Sequence, residues 1–153
     1  NEFWAPKNRG ALIKSPLDLV IGTLKTLDLE DKNLPLPSIS NSLRRMGQDL
    51  YSPPNVKGWP GGVAWVDDVT LPVRQQFLTR LMRGHNRRKQ QDGMMASMSK
   101  QKRTAMPSAD IPELPSAQWN TWLLPVAAVT DIPTNNKRKQ LQAILLDPAY
   151  QLK

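Results

Sequence analysis

Gly47-Gln48-Asp49-Leu50-Tyr51-Ser52-Pro53-Pro54-Asn55-Val56-Lys57-Gly58-Trp59-Pro60-Gly61-Gly62-Val63-Ala64-Trp65 fixes how the rest of this chain is read. Pro53, Pro54 and Pro60 fix φ and remove backbone donors, while Gly58, Gly61 and Gly62 open the left-handed region, so neither helix nor strand runs through the segment. It is a shaped loop. Trp59 and Trp65 give it two large amphipathic surfaces, which packing must use if the loop is to hold one conformation. The core has to come from the elements on either side.

Those elements read as short helices. Ser15-Pro16-Leu17-Asp18 opens the first, with serine as N-cap, proline at the first helical position and an acid three residues after the cap. Leu17, Val20, Ile21, Leu24 and Leu27 form its apolar stripe, and it ends near Asp28. A second helix is predicted from about Ser38 to Met46, with Ile39, Leu43 and Met46 on one face and Gly47 as its C-terminal cap. Thr70 and Pro72 start a third, which buries Val73, Phe77, Leu78, Leu81 and Met82, points Arg74 and Arg80 elsewhere, and ends near Gly84. After Ser116 a short helix carries Trp119, Trp122 and Leu123. Thr134 caps a last helix, with Leu141, Ile144 and Leu145 inward, Lys137, Arg138 and Lys139 outward, and Pro148 as its stop. The expected fold is all-α: an irregular bundle of short helices around a Pro/Gly/Trp-rich loop.

The chain has 153 residues, 39% of them hydrophobic, with five tryptophans, which is enough for one ordinary core. It has no cysteine, so disulfides, thiolate chemistry and cysteine-held metals are excluded. The longest apolar run, Leu123 to Val129, holds Pro125 and falls far short of the roughly 20 residues a membrane-spanning helix needs. No leader precedes Asn1, so the expectation is of a processed or partial product. The net charge of +8 is concentrated, since eight bases from Arg80 to Arg103 stand against Asp92 alone. This places a helical segment at residues 1–83, a basic and flexible linker at 84–115, and a second helical segment at 116–153, probable parts of one larger domain whose N-terminal region is absent.

Three stretches carry a family resemblance. They are Lys14-Ser15-Pro16-Leu17-Asp18-Leu19-Val20-Ile21-Gly22-Thr23-Leu24-Lys25, then Met46-Gly47-Gln48 with Pro53-Pro54-Asn55-Val56-Lys57-Gly58-Trp59-Pro60-Gly61-Gly62, and the closing Leu145-Leu146-Asp147-Pro148-Ala149-Tyr150-Gln151. Through them the chain resembles the C-terminal part of a bacterial family catalogued as domain of unknown function 1800, over residues 3–82 and 137–153. The resemblance implies a mainly helical protein, exported across the inner membrane to the periplasm or beyond, accompanied by a second exported family. It brings no catalytic residues with it.

Candidate functional groups are few. Asn55, Lys57, Trp59 and Trp65 could form a ligand or partner platform, with indole faces to stack on and an amide and an ammonium to hydrogen-bond. The alternative is that both tryptophans plug the core and Asn55 caps a turn. Asp67 and Asp68 could suggest acid–base chemistry, but adjacent residues project differently and their place before Thr70 suits a helix N-terminus. His85 stands among arginines with no second ligand, so neither a metal nor a cofactor is expected. Arg87, Arg88 and Lys89 form the best polyanion-binding cluster, yet no aromatic residue accompanies them for base stacking, and nucleic acid is not the expected partner. No hydrolase, nucleotide or metalloprotease motif occurs.

Three functions follow as expectations. The first is a non-catalytic helical binding or assembly module of an exported protein, holding a protein partner or its own N-terminal region within an envelope or extracellular complex. The second is the C-terminal half of an envelope enzyme, acting on polysaccharide, with its catalytic residues upstream. The third is polyanion binding through the basic linker.

Overall fold

The computed structural model describes residues 5–29, 34–91 and 116–153, and of 84–91 and 117 the backbone alone. Among these residues five α-helices follow in order: α1 Pro16–Thr26, α2 Leu36–Arg45, α3 Thr70–Gln91, α4 Trp119–Leu123 and α5 Lys137–Leu146. The fold is all-α. Extended chain pairs among the described residues only at an antiparallel bridge between Ile13 and Leu152. Around that bridge Lys14 donates its amide to the Gln151 carbonyl at 2.7 Å, and Lys153 donates to Leu12 at 2.7 Å.

The start of α1 is a full capping box. The Ser15 hydroxyl accepts from the Asp18 amide at 3.1 Å, and the Asp18 carboxylate accepts from the Ser15 amide at 3.1 Å. The buried face is turned from the predicted one. Leu19, Val20, Thr23, Leu24 and Leu27 are buried, while Ile21 is exposed. Thr23 can be inside because its hydroxyl is satisfied twice, by the Leu19 carbonyl at 2.6 Å and the Tyr150 hydroxyl at 2.9 Å. α1 ends in a Schellman turn, with Leu29 donating to Leu24 at 2.9 Å and Asp28 to Lys25 at 3.0 Å. Asp28 takes the left-handed position there, at φ 50°, where glycine is usual.

Helix α2 starts two residues earlier than predicted, since Pro35 sets the entry and its carbonyl accepts from the Ser38 and Ile39 amides. Helix α3 runs on through Gly84 to Gln91. One glycine costs about 1 kcal/mol in a helix, and the Arg, Lys and Gln that follow are good helix formers. Residues 92–115 of the expected linker lie outside the described residues. Helix α5 is capped by Asn136 rather than Thr134; the Asn136 side-chain oxygen accepts from Arg138 at 3.0 Å and Lys139 at 3.1 Å.

Neighbouring helices pack α1 on α2, α2 on α3, α3 on α5 and α4 on α5. One hydrophobic core spans them, from Leu19 and Leu24 through Met46, Phe77 and Leu81 to Trp119, Leu141, Ile144 and Tyr150. The two tryptophans of α4 do not share a fate, because Trp119 is buried and Trp122 is 68% exposed. A helix of five residues has too little length to turn both indoles inward.

Candidate functional site

The loop after α2 is built from turns. Gly47, at φ 91°, makes a second Schellman turn: the Gly47 amide donates to Arg44 at 3.0 Å and the Gln48 amide to Leu43 at 2.9 Å. This delivers the Gln48 side chain inward, where its oxygen accepts from the Leu17 amide of α1 at 2.9 Å. The Asp49 carboxylate pairs with the Arg44 guanidinium at 2.8 Å, and the Ser52 amide closes a turn on the Asp49 carbonyl at 3.1 Å.

Asn55 locks the tip. Its side-chain oxygen accepts from the Lys57 amide at 2.8 Å, and its carbonyl accepts from the Gly58 amide at 3.0 Å, with Gly58 at φ 86°. Asn55 therefore spends its acceptor on the turn. Trp65, at the end of the 3₁₀ turn Gly62–Trp65, is buried, whereas Trp59 is half-buried and Lys57 is exposed. Of the four candidate residues, Trp65 plugs the core and Asn55 shapes the turn. What the loop offers outward is mainly apolar: Tyr51 is 96% exposed, Val56 is fully exposed and Val63 is 81% exposed.

Beyond the loop, Asp67 caps α3, its carboxylate accepting from Val69 at 2.8 Å and Thr70 at 2.6 Å. These amides hold the Asp67 carboxyl below the usual range. The predicted structural use of the aspartate is what the geometry has.

Under the loop lies a polar seam that sequence reading missed. The Arg74 side chain is wholly buried. Its Nε donates to the Trp65 carbonyl at 3.2 Å, Nη1 to the Gln151 side-chain oxygen at 3.2 Å and Nη2 to the Lys14 carbonyl at 3.0 Å. All three acceptors are neutral, and burial pulls the Arg74 pKa down to about 10. The Lys14 ammonium donates to the Tyr150 carbonyl at 2.7 Å and sits 3.9 Å from the centre of the Tyr150 ring. Burial lowers its pKa to about 8, against a weaker pull upward from Asp18. Burial raises the Tyr150 hydroxyl above its ordinary value, partly offset by hydrogen bonds with Thr23 and Thr26. An apolar groove of about 220 Å³ lies alongside, where Ile13, Val66, Pro148 and Leu152 meet and Gln151 forms part of the wall.

Asp147 anchors the far end of the seam. Its buried carboxylate accepts from the amides of Val129 at 3.0 Å, Thr130 at 2.8 Å and Ala149 at 2.8 Å, and from the Thr130 hydroxyl at 2.7 Å. Burial alone would raise its pKa, but these donors outweigh it and hold the carboxyl below the usual range.

The three stretches quoted for the resemblance thus close on one another: Leu17 on Gln48, Lys14 and Thr23 on Tyr150, and Arg74 bridging Lys14 to Gln151. The family model described as protein of unknown function (DUF1800) matches residues 1–152. The chain belongs to the DUF1800 family. The match runs across residues 83–136, where the sequence offered no motif, as well as the stretches that did. No curated protein and no solved structure matches it.

Arg74 did leave a signal. With Phe77, Leu78 and Leu81 it sits at i, i+3, i+4 and i+7, on the apolar stripe itself. Charge was read as a reason to point it outward, while position put it inward. The side chains of His85, Arg87, Arg88 and Lys89 lie outside the described residues; the backbone there is the second half of α3. Among the described residues no group of three or more His, Asp or Glu could hold a metal ion, and no helix is long and apolar enough to cross a membrane.

Proposed function

We propose that this DUF1800 chain is a non-catalytic binding or assembly module of an exported bacterial protein, working in the periplasm or outside the cell as part of an envelope or extracellular complex. The observation that carries the reading is the loop itself. Its base is fastened by Trp65, Gln48 and the Asp49–Arg44 pair, yet Tyr51 and Val56 project from it with almost no contact. A loop held in one shape loses little entropy on docking, and exposed apolar side chains on such a loop are suited to a protein partner. Export and the envelope setting rest on the family resemblance.

The test is site-specific crosslinking in cells, with a photoreactive residue at Val56 and a control at the exposed position Lys25 on α1. A single discrete protein adduct from position 56, found in the periplasmic or medium fraction and lost on Tyr51→Ser, is the expected result. No adduct, or the same adducts from both positions, would refute the docking role of the loop.

A further inference from the structure

We propose that the junction of α3 and α5 is a second contact surface, a basic patch of Arg80, Arg83, Lys137 and Lys139 that takes an acidic, carboxylate-rich segment of a protein partner. The proposal rests on the reading of the chain as a protein-binding module and names the chemistry of a partner at a site away from the loop.

The patch is created by the tertiary structure, since its halves are more than fifty residues apart in the chain. The Arg138 guanidinium reaches across from α5 to donate to the Met82 carbonyl of α3, which sets the first turn of α5 beside Met82 and Arg83. Arg80 and Arg83, one helical turn apart, are both exposed, as are Lys137 and Lys139. None of the four takes part in an ion pair with a described residue; the pairs there are Arg44 with Asp49 and Lys153 with Asp18. Helix α3 has no acidic residue in its 22 positions, and α5 has none in its 10.

Stability does not explain these cations. Helix α5 opens Lys137-Arg138-Lys139 with no acid in its first turn. Positive charge there opposes the helix dipole, a local conflict that folding alone would remove. The amides of that turn are already taken by Asn136, so the attraction belongs to the side chains and not to the helix end. Arg138 has a structural use in reaching Met82; Lys137 and Lys139 have none in the fold. An acidic peptide fits better than nucleic acid. From Leu78 to Gln91 and throughout α5 there is no aromatic residue on which a base could stack, and two packed helices about 8–10 Å apart give a compact patch rather than a long phosphate track.

The experiment titrates the full chain against fluorescently labelled poly-glutamate and, separately, a labelled DNA duplex, at low and moderate salt, with Lys137→Gln/Lys139→Gln, Arg80→Gln/Arg83→Gln and Val56→Ser as variants. An exposed ion pair is worth up to about fivefold in affinity, so either double variant is expected to weaken poly-glutamate binding about tenfold. Val56→Ser leaves it unchanged, which separates this patch from the loop: crosslinking at position 56 can fail while this titration succeeds, and the reverse. The Lys137→Gln/Lys139→Gln protein is expected to melt at the same temperature or higher, because the dipole conflict is gone. Unchanged poly-glutamate binding in both double variants overturns the proposal, as does a lowered melting temperature for the lysine pair. Tighter binding to the duplex than to poly-glutamate, lost in the same variants, overturns the choice of partner.

Discussion

Arg74→Met tests whether the buried guanidinium holds the seam together. Methionine keeps the aliphatic stem and removes the fork, so the apolar packing of α3 beside Phe77 and Leu78 survives while the polar bonds are lost. Their losses differ. The Trp65 carbonyl keeps a second donor, the Thr70 hydroxyl at 3.2 Å, and the Gln151 side chain can rotate. The Lys14 carbonyl has no other donor among the described bonds and is left unpaired, at a cost of about 1–3 kcal/mol. Adding about 1 kcal/mol for the Gln151 bond and subtracting the relief of no longer burying a charge gives a net loss of about 2–3 kcal/mol. For a chain of this size that lowers the melting temperature by roughly 4–12 °C. Urea unfolding followed by tryptophan fluorescence measures it, with the slope m expected to stay constant. Arg74→Lys should also fall short of wild type, because one ammonium cannot reach three divergent acceptors. A loss below about 0.5 kcal/mol for Arg74→Met would show that the seam is incidental and that apolar packing alone holds these segments.

Three further outcomes are expected. Lys14 has a folded pKa of about 8 below its ordinary 10.5, so the folded state releases the proton first and this group's contribution to stability rises with pH between those values; urea midpoints across that range should show the rise in wild type and its absence in Lys14→Met. Asp147→Asn should cost about 2–4 kcal/mol at neutral pH, because an amide cannot accept from Val129, Thr130 and Ala149 as the carboxylate does. Since the Asp147 pKa is depressed in the fold, that advantage is full above the ordinary carboxylate value and shrinks as pH falls through the folded one, which denaturation at acidic pH would reveal. Asp28→Gly should stabilise by about 0.5 kcal/mol, by relieving a left-handed residue in the Schellman turn after α1, and thermal melting would detect it; a loss instead would mean the Asp28 side chain matters more than its backbone.

Local chemistry was legible residue by residue. The capping box at Ser15 and Asp18, the glycine turn at Gly47, the Asn55 turn and the Asp67 cap are all decided within a few residues of chain, and the sequence showed each of them. Where competing local preferences were close, boundaries moved: Asn136 outdid Thr134 as a cap, and good helix formers carried α3 past Gly84. The candidate platform around Trp59 was readable as a place but not as a division of labour. Which of its residues face inward depends on what lies beneath them.

By itself the sequence determined the helical class, the proline-glycine loop and the family, because capping, φ restriction and apolar periodicity act over one or two turns of chain. Only the tertiary structure decided that Thr23, Arg74 and Asp147 are interior and that Lys14 lies across Tyr150. A buried polar group is tolerated where its partners are, and those partners come from distant segments: Lys14 meets Tyr150, Arg74 meets Gln151, and Arg138 meets Met82. Periodicity reports which side of a helix is apolar. It carries no information about which charge finds three carbonyl-type oxygens waiting when the ends of the chain come together.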